Sequence, residues 1–415
     1  MQIVDRLFLK RLMLAGTKSL AIALLLMTSV TQPARAQTYK VIHNFAGPQD
    51  GEHPYSGLTN DTTGNLYGTT NGEVGSGTVF ELTHTNTGWV VTLLEQFQTR
   101  TGEAFPLAGV VFEPDGSLYG TTSHSGGSVT AGTVFALGPV CANPECVLYQ
   151  FKLGKDGAEP NYGSLLFDSG GNIYGATIVG GSEGQGAVYQ VTPFEGGWRE
   201  AILYSFSGAD GARPFSGLTM DSSGRLYGTT TLGGSYDLGT AYQLTFTGSG
   251  WSERVLWDFQ GMIDGELPTS SLIFDQSGNL YGSTCGYGPS GGGTVFELTP
   301  SGDTWILSTL YSFPGSDCPW ATLTMDQDGN LYGTTVNGGN TKGVCYPGGC
   351  GTVYELTFSN NGWTYSNIHS FNGSDGQHPY GHMILVKGHL YGTTANGGTG
   401  GSCLSGCGVV FEINP

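Results

Sequence analysis

A five-residue motif, Leu-Tyr-Gly-Thr-Thr, recurs seven times along the chain with little variation. Its tyrosines are spaced 51 to 59 residues apart, at Tyr67, Tyr119, Tyr174, Tyr227, Tyr281, Tyr332 and Tyr391. A period of this length is typical of solenoids and propellers, in which each repeat is one supersecondary unit. The repeat therefore limits the fold of the whole chain before any single residue is considered.

Each repeat contains four short runs of β-branched and aromatic residues, separated by turns rich in glycine. In the fourth repeat these runs cover residues 217–221, 225–230, 240–245 and 255–259. Such runs predict short antiparallel strands joined by hairpins. Four strands in each of seven repeats predict an all-β fold, a seven-bladed β-propeller of four-stranded blades.

The two ends of the chain predict that the ring of blades is closed. The run Tyr39–Phe45 matches the fourth strand of a repeat, whereas the last repeat stops after its third-strand run, Val409–Ile413. Pairing of the N-terminal strand in the last blade would complete that blade and remove both exposed sheet edges. An open solenoid is the alternative, but it leaves the N-terminal strand unexplained.

Two recurring signatures define the repeat, Gly-x-Leu-Tyr-Gly-Thr-Thr and, further on, Gly-Thr-Val-Phe at the third strand. The glycine after each tyrosine predicts close approach of a neighbouring blade. Over residues 39–415 the paired signatures resemble the tandem GloVer repeat of bacterial choice-of-anchor proteins. The resemblance implies the repeat fold and export, and it carries over no catalytic residues. Many members bear a C-terminal sorting signal, whereas this sequence ends in the repeat at Glu412–Pro415, so release from the cell is expected.

Residues 1–36 have the pattern of a cleavable signal peptide. Basic residues precede the apolar run Leu20–Met27, and Ala34-Arg35-Ala36 provides a small-x-small cleavage site. A retained membrane anchor is the alternative, but the apolar run is shorter than the roughly 20 residues that span a bilayer. The sequence thus predicts a secreted protein whose mature part, residues 37–415, is one propeller domain, a monomer without membrane contact.

The charge of the chain excludes some partners. The formal net charge is −18, and it becomes −22 without residues 1–36, which hold five Lys/Arg and one Asp. Nucleic acids are bound through Lys and Arg contacts to phosphate. A chain this acidic is therefore not expected to bind them. Anionic lipid is disfavoured for the same reason.

All eight cysteines lie in the mature part, which is typical of an oxidising compartment. Three pairs are close in sequence and predict disulfides: Cys141–Cys146, Cys345–Cys350 and Cys403–Cys407. Cys285 and Cys318 remain, and the repeat map places both on one rim, so they are predicted to pair. A zinc site is the alternative.

Six aspartates occupy the loops between blades, mostly as Asp-Gly, at Asp50, Asp156, Asp210, Asp264, Asp317 and Asp375. One interpretation is a ring of carboxylates around one mouth of the channel that binds a cation or a sugar. The alternative is a turn in which each carboxylate accepts hydrogen bonds from its own loop. Because the pattern recurs in nearly every blade, the turn is favoured.

Features that break the repeat cluster late in the chain, in the loops 336–350 and 395–407 and around Cys285 and Cys318. Candidate binding residues accompany them: Asp317, Trp320, Tyr287, Tyr346, Asp375, His378, Tyr380 and His382. Aromatic faces suit sugars and flat apolar groups, so these loops could form a ligand platform. Stiffening of long loops by small disulfides is the alternative.

The leading hypothesis is a non-catalytic extracellular binding module for a polysaccharide or a protein. The sequence has no nucleophile elbow, phosphate loop or His-Glu-x-x-His motif, so no catalytic residue, metal or cofactor is predicted. A secreted carbohydrate-active enzyme that uses rim carboxylates is the first alternative, since paired carboxylates cleave glycosides. A structural component of the envelope or matrix is the second.

Overall fold

Seven antiparallel sheets, one for each repeat, make up the chain from Thr38 to Asn414. The structure is a computed structural model that describes residues 37–72, 77–97, 105–123, 131–141, 145–160 and 162–415. Each sheet holds four strands in a meander, and one sheet gains a fifth short strand. The described residues contain no α-helix. The predicted all-β, seven-bladed propeller is thus confirmed, whereas the predicted signal peptide lies outside the described residues.

Every blade uses the four runs of its repeat in the same order. The short first strands are β2 Thr59–Asn60, β6 Val111–Phe112, β10 Leu166–Phe167, β14 Thr219–Met220, β19 Ile273–Phe274, β23 Thr324–Met325 and β27 Ile384–Val386. The second strands are β3 Leu66–Thr70, β7 Leu118–Thr122, β11 Ile173–Thr177, β15 Leu226–Thr230, β20 Leu280–Gly286, β24 Leu331–Thr335 and β28 His389–Thr394.

The third and fourth strands form longer hairpins. The third strands are β4 Thr78–Thr85, β8 Thr133–Leu137, β12 Ala187–Phe194, β16 Thr240–Phe246, β21 Gly291–Ser301, β25 Thr352–Ser359 and β29 Val409–Asn414. The fourth strands are β5 Gly88–Gln96, β9 Glu145–Gln150, β13 Gly197–Ser205, β17 Trp251–Asp258, β22 Thr304–Pro314, β26 Gly362–Ser370 and β1 Thr38–Asn44. Strand β18 (Glu266–Pro268) is the additional strand of blade 5, and Gly154–Asp156 and Gly343–Cys345 form short 3-10 turns.

The ring closes as predicted, because β1 is the fourth strand of blade 7. It pairs antiparallel with β29, from Thr38 opposite Asn414 to Asn44 opposite Val409. Directly after β1, Phe45 is fully buried and packs edge-to-face on Phe80 of blade 1, with ring centroids 5.2 Å apart. The N-terminal strand therefore completes the last sheet and also joins blade 7 to blade 1.

The same aromatic contact occurs at all seven interfaces between blades. A phenylalanine at the end of one fourth strand meets an aromatic residue in the third strand of the next blade, with centroids 4.9 to 5.4 Å apart. The pairs are Phe45–Phe80, Phe97–Phe135, Phe151–Tyr189, Phe206–Tyr242, Phe259–Phe296, Phe313–Tyr354 and Phe371–Phe411. Edge-to-face pairs of this kind stabilise a core beyond their buried area, so the hydrophobic core lies between the blades.

The Leu-Tyr-Gly-Thr-Thr strands are buried on both faces, which explains why leucine and tyrosine stand side by side. The glycine of each motif was predicted to mark the close approach of a neighbouring blade, and this prediction was wrong. A Cβ on Gly68 would lie 2.7 Å from Cζ of Phe80, and a Cβ on Gly175 would lie 2.3 Å from the hydroxyl oxygen of Tyr189. Both aromatic rings belong to the third strand of the same blade. The glycine thus makes room for the ring that contacts the preceding blade, and the atoms nearest to an added Cβ come from its own blade.

The turns between first and second strands are held by their aspartate, as in the first blade. Oδ1 of Asp61 accepts hydrogen bonds from the backbone amides of Thr63, Gly64 and Asn65 at 2.7 to 2.9 Å. The hydroxyl of Tyr67 donates to Oδ2 of Asp61 at 3.2 Å. The repeated tyrosine therefore anchors the turn that precedes it.

All four predicted disulfides are formed, Cys141–Cys146, Cys285–Cys318, Cys345–Cys350 and Cys403–Cys407. No cysteine is left free, so the zinc alternative is wrong for these residues. Among the described residues, no helix has the length and apolarity needed to cross a membrane.

Candidate ligand-binding site

One rim of the ring, here called the top rim, carries the loops between second and third strands and the loops that join successive blades. Each joining loop ends in a proline that leads into the next first strand. The first threonine of the repeated motif holds this proline across the blade interface: Thr69 donates to the carbonyl of Pro106 at 3.0 Å, and Thr334 to that of Pro379 at 3.1 Å. The motif that defines the repeat thus also positions the entrance to the channel.

The residue before this proline has a left-handed backbone in six of the seven blades. The φ angles are 54° to 60° at His53, Phe105, Glu159, Arg213, Leu267 and His378. This region is costly for residues other than glycine, and it persists where surrounding contacts fix it. For example, the amide of His378 donates to the carbonyl of Cys350 in blade 6, and its carbonyl accepts from the amide of Ala395 in its own blade. The kinked backbone directs the residues after it toward the channel.

The joining loop that leads into blade 6 lacks this left-handed residue and is fixed differently. Cys318 occupies the position before the proline, and its disulfide to Cys285 links blade 6 to blade 5. Ser283 of blade 5 donates to the carbonyl of Pro319 at 2.9 Å, and Thr269 donates to the carbonyl of Trp320 at 3.1 Å. Trp320 is therefore held by one covalent bond and two hydrogen bonds close to it.

The residues that follow these prolines form an aromatic cluster at the mouth of the channel. Tyr55 of blade 1 meets Tyr380 of blade 7 at a centroid distance of 5.1 Å, and Tyr380 meets Trp320 at 5.7 Å. Trp320 reaches past blade 5 to Phe215 of blade 4 at 5.3 Å, and Phe215 stacks on Tyr162 of blade 3 at 4.5 Å. Five blades therefore contribute to one contiguous aromatic surface.

Above this surface lies a cavity of about 430 Å³, here called the mouth pocket. Its lining residues are Tyr55, Asn71, Phe105, Leu107, Ser123, Tyr162, Trp320 and Tyr380. They come from five blades, so the pocket lies over the axis of the ring. Oδ1 of Asn71 is buried here without a hydrogen-bond partner. The pocket thus combines aromatic walls with an amide acceptor that a bound hydroxyl group could satisfy.

Beneath the cluster the channel narrows to a cavity of about 30 Å³, here called the neck. Its lining includes Ser216, Thr269, Thr322 and His382. The neck has room for two or three water molecules at about 10–15 Å³ each. His382 lies against Gly57, where an added Cβ would be 2.1 Å from its Nδ1. The mouth pocket is therefore open toward the top rim and constricted below.

A second cavity of about 360 Å³, here called the side pocket, lies next to it on the top rim. Trp320 and Tyr380 line both pockets. The side pocket also contains the disulfide Cys285–Cys318, the glycines of the loop in blade 5, Asn337, and Tyr287, whose side chain is 67% exposed. The two pockets thus share an aromatic wall.

The described lining residues of both pockets are uncharged at neutral pH. Burial raises the pKa of Tyr55 and of Tyr380 and raises that of Tyr162 to about 12, so the phenols keep their protons. Burial also lowers the pKa of His382 in the neck, against a hydrogen bond to the Leu58 backbone, so this imidazole is neutral. The site therefore suits a neutral ligand with apolar faces and hydroxyl edges.

The aspartates between the blades are engaged in their own loops. The carboxylate of Asp50 accepts from the amide of Ala46 at 2.9 Å, and that of Asp264 accepts from the amide of Gln260 at 2.7 Å. Asp156, Asp210 and Asp375 accept in the same way from Lys152, Ser207 and Asn372. This geometry agrees with the turn alternative and leaves these carboxylates pointing into their loops.

Asp317 is the exception among the six. No described residue donates a hydrogen bond to its carboxylate, and burial raises its pKa to about 6. Gly338 lies against it, since an added Cβ there would be 2.3 Å from Oδ1. Asp317 lines neither of the two pockets, although the next two residues lead into Trp320.

The structure brings together some of the residues that the sequence predicts for binding. Trp320, Tyr380, Tyr287 and His382 converge on the two pockets and the neck. Tyr346 is 77% exposed in the stapled loop of blade 6 and lines neither pocket. His378 contacts Asn396 at 3.3 Å, and Asp375 accepts from Asn372 of its own loop, so both side chains are engaged outside the two pockets.

Sequence analysis missed Tyr55, Phe105, Tyr162, Phe215 and Asn71. A signal was present, because an aromatic residue directly follows the proline in Pro54-Tyr55, Pro214-Phe215, Pro319-Trp320 and Pro379-Tyr380. That signal is part of the repeat, whereas the residues predicted for binding were chosen as features that break the repeat. The site is built from both.

Metal-ligating side chains converge at one place within the described part of the chain. Glu52 lies there beside Cys403 and Cys407. The two sulfur atoms are bonded to each other, so they are not the thiolates that a metal requires. The three residues are therefore a disulfide-closed loop with the carboxylate of Glu52 beside it.

Solved structures support the fold alone. A chain of the mitotic checkpoint complex shares 11% identity with a TM-score of 0.56, over 91% of this chain and 93% of that chain. A fungal alcohol oxidase of the AA5 family, solved with copper, shares 14% identity with a TM-score of 0.55, over 90% and 76%. PorZ, a surface component of the type-IX secretion system of Porphyromonas gingivalis, shares 13% identity with a TM-score of 0.52, over 89% and 47%.

No curated protein matches the sequence at a significant level. The family model of the Gloeobacter/Verrucomicrobia repeat, in contrast, matches residues 29–170 and 161–348. These matches cover more than half of the 415 residues and include the paired signatures of blades 1 to 5. The chain therefore belongs to the Gloeobacter/Verrucomicrobia repeat family.

Proposed function

We propose that this propeller is a non-catalytic extracellular binding module that binds a neutral carbohydrate in the mouth pocket. The observation that carries the proposal is the uncharged aromatic lining of that pocket, with Trp320 and Tyr380 at its centre. Sugar rings present apolar faces that pack on aromatic rings and hydroxyl edges that bond to amides and phenols. Asn71 and the tyrosine hydroxyls supply such polar partners.

Charge supports a neutral ligand over an acidic one. The chain carries a formal net charge of −18, and no lysine or arginine is among the described residues that line either pocket. An anionic polysaccharide or a nucleic acid would meet repulsion without a compensating cation. A protein partner would be expected to use a larger and flatter surface than a pocket of this size.

Four disulfides support a site of action in an oxidising compartment, since such bonds are rare where thiols are kept reduced. This agrees with export through residues 1–36, which remains a prediction. An enzyme that uses the rim carboxylates has less support. Asp317 has a raised pKa of about 6, as a general acid needs, but neither it nor Asp375 is among the described residues that line the mouth pocket or the side pocket.

The test uses the protein from Gln37 to Pro415 with insoluble neutral polysaccharides (cellulose, xylan, mannan and starch) and with anionic pectin. Retained protein and newly released reducing ends are both measured. We expect retention on at least one neutral polymer without release, and at least about tenfold weaker retention for Trp320→Ala, as for a central aromatic contact. Tyr55→Ala is the second variant, should Trp320→Ala fail to fold.

Tyr236→Ala is the matched control, because Tyr236 is 56% exposed in the blade 4 loop and lies outside both pockets. Equal losses for the control and the pocket variants would contradict the proposal. Release of reducing ends would instead favour the enzyme. If the protein is retained on none of the neutral polymers, carbohydrate binding at this site is also rejected.

A further inference from the structure

We infer that the mouth pocket and the side pocket are two subsites of one groove, whose ligand is a neutral glycan chain long enough to occupy both. This inference rests on the proposed function and specifies its substrate class. It predicts that a chain, rather than a single sugar, is the unit of recognition.

Continuity is the first observation that carries the inference. Trp320 and Tyr380 line both cavities, so the two spaces meet at one aromatic wall. The pockets measure about 430 and 360 Å³, and both are open to the same rim. A chain that extends from the mouth pocket across this wall therefore enters the side pocket.

The chemistry of the side pocket matches that of the mouth pocket. Its described lining has no charged side chain, and it offers the amide of Asn337, the hydroxyl of Ser316 and exposed backbone at a run of glycines. Glycines let a ligand approach main-chain N–H and C=O groups closely. Apolar rings and neutral polar groups in both cavities are what a chain of repeating neutral sugars requires.

Tyr287 is the aromatic residue of this second subsite. Its side chain is 67% exposed, and its backbone is left-handed with φ of 26°. It stands two residues after Cys285, whose disulfide to Cys318 lies in the same lining. The disulfide fixes the loop of Tyr287 relative to Trp320. Little conformational freedom is therefore lost when a ligand bridges Tyr287 and Trp320.

The test measures dissociation constants by calorimetry for cello-, xylo-, manno- and malto-oligosaccharides of two and six units. For the series that binds, we expect the six-unit sugar to bind at least tenfold more tightly than the two-unit sugar. Tyr287→Ala is expected to remove most of this gain. Trp320→Ala is expected to weaken both, and Tyr236→Ala neither.

Equal affinity for the two lengths, or an unchanged length dependence in Tyr287→Ala, would overturn the second subsite while the proposed function stands. Absence of binding by every neutral oligosaccharide would reject the proposed function, and the inference with it. Tyr287 is mostly exposed, so its replacement is not expected to affect folding, which the melting temperature checks.

Discussion

Two glutamates on fourth strands, Glu200 and Glu253, each face an aspartate of the preceding loop between blades. Burial, together with the charge of Asp156, raises the pKa of Glu200 to about 7. Burial, with Asp210 and Asp258 nearby, raises the pKa of Glu253 to about 8. Oε1 of each glutamate is buried without a hydrogen-bond partner. Both groups are therefore protonated in the folded protein at mildly acidic pH.

These glutamates predict a stability that decreases as pH rises. Their pKa in the folded protein lies above the ordinary glutamate value of 4.5, so the stability they contribute is complete below pH 4.5 and is lost as pH rises through 7 and 8. The double variant Glu200→Gln/Glu253→Gln cannot ionise there. We expect its melting temperature to fall less than that of the wild type between pH 5 and pH 9, as followed by circular dichroism.

Glu195→Gln is the control for this change, since Glu195 is exposed in a hairpin turn. Its pH profile should follow the wild type. Parallel profiles for the double variant and the wild type would show that the buried glutamates do not set the alkaline loss of stability.

At the level of single residues, the sequence identified some but not all of the site. Trp320 and Tyr380 were found because they lie near cysteines that break the repeat. Tyr55 was not, because its Pro-Tyr pattern belongs to the repeat. Tyr162 was not, because nothing in its local sequence distinguishes a ring on the channel axis from one packed between blades. Their convergence depends on which rim each loop lies on and on the left-handed residue before each proline, and neither is encoded in the hydrophobic pattern.

At the level of elements, the segments that lead into the first strands approach each other closely along the channel through small residues. A Cβ on Gly163 would lie 2.5 Å from the backbone nitrogen of Gly217 in the next blade, and one on Gly381 would lie 2.3 Å from the carbonyl oxygen of Ser56. Backbone atoms cannot move aside as a flexible side chain can. The diameter of the ring entrance therefore depends on these glycines.

Gly163→Ala is expected to destabilise the fold by about 1–3 kcal/mol, the usual cost of overpacking. The measurement is the urea concentration at the unfolding midpoint. Gly250→Ala is the matched control, because an added Cβ at Gly250 meets no atom within 4 Å. Equal midpoints for the two variants would contradict the close approach of blades 3 and 4.

The strands themselves could be predicted because seven copies of one pattern average out local ambiguity. Ring closure followed from the unmatched run Tyr39–Phe45. The role of the motif glycine was predicted wrongly, since the sequence indicates that space is needed beside Gly68 but not which side chain fills it. The answer, Phe80 of the same blade, required the pairing of Gly68 with Phe80 across the two strands.

At the level of the whole molecule, strand β1 closes the ring. Besides its pairing with β29, the ring of Tyr39 stacks on that of His369 in blade 6, with centroids 3.8 Å apart. Without β1, strand β29 would present a free edge that is rich in valine and isoleucine. Free edges of this kind pair with other chains.

Deletion of residues 37–45 is therefore expected to produce concentration-dependent self-association, measured by light scattering after size-exclusion chromatography. A synthetic peptide of residues 37–47, added in trans, should restore the monomer by strand addition. A scrambled peptide of the same composition should not. A deleted chain that stays monomeric and equally stable without the peptide would show that β1 is dispensable for closure.

The central claim is that the mouth pocket is where the ligand binds, and a crystal structure of the protein from Gln37 to Pro415 with a bound six-unit neutral oligosaccharide tests it most directly. The account predicts one sugar ring within van der Waals contact of Trp320 and Tyr380 over the channel axis, with the chain continuing toward Tyr287. A sugar bound elsewhere, such as at Tyr346 or on the outer strands, with the mouth pocket empty, would contradict it.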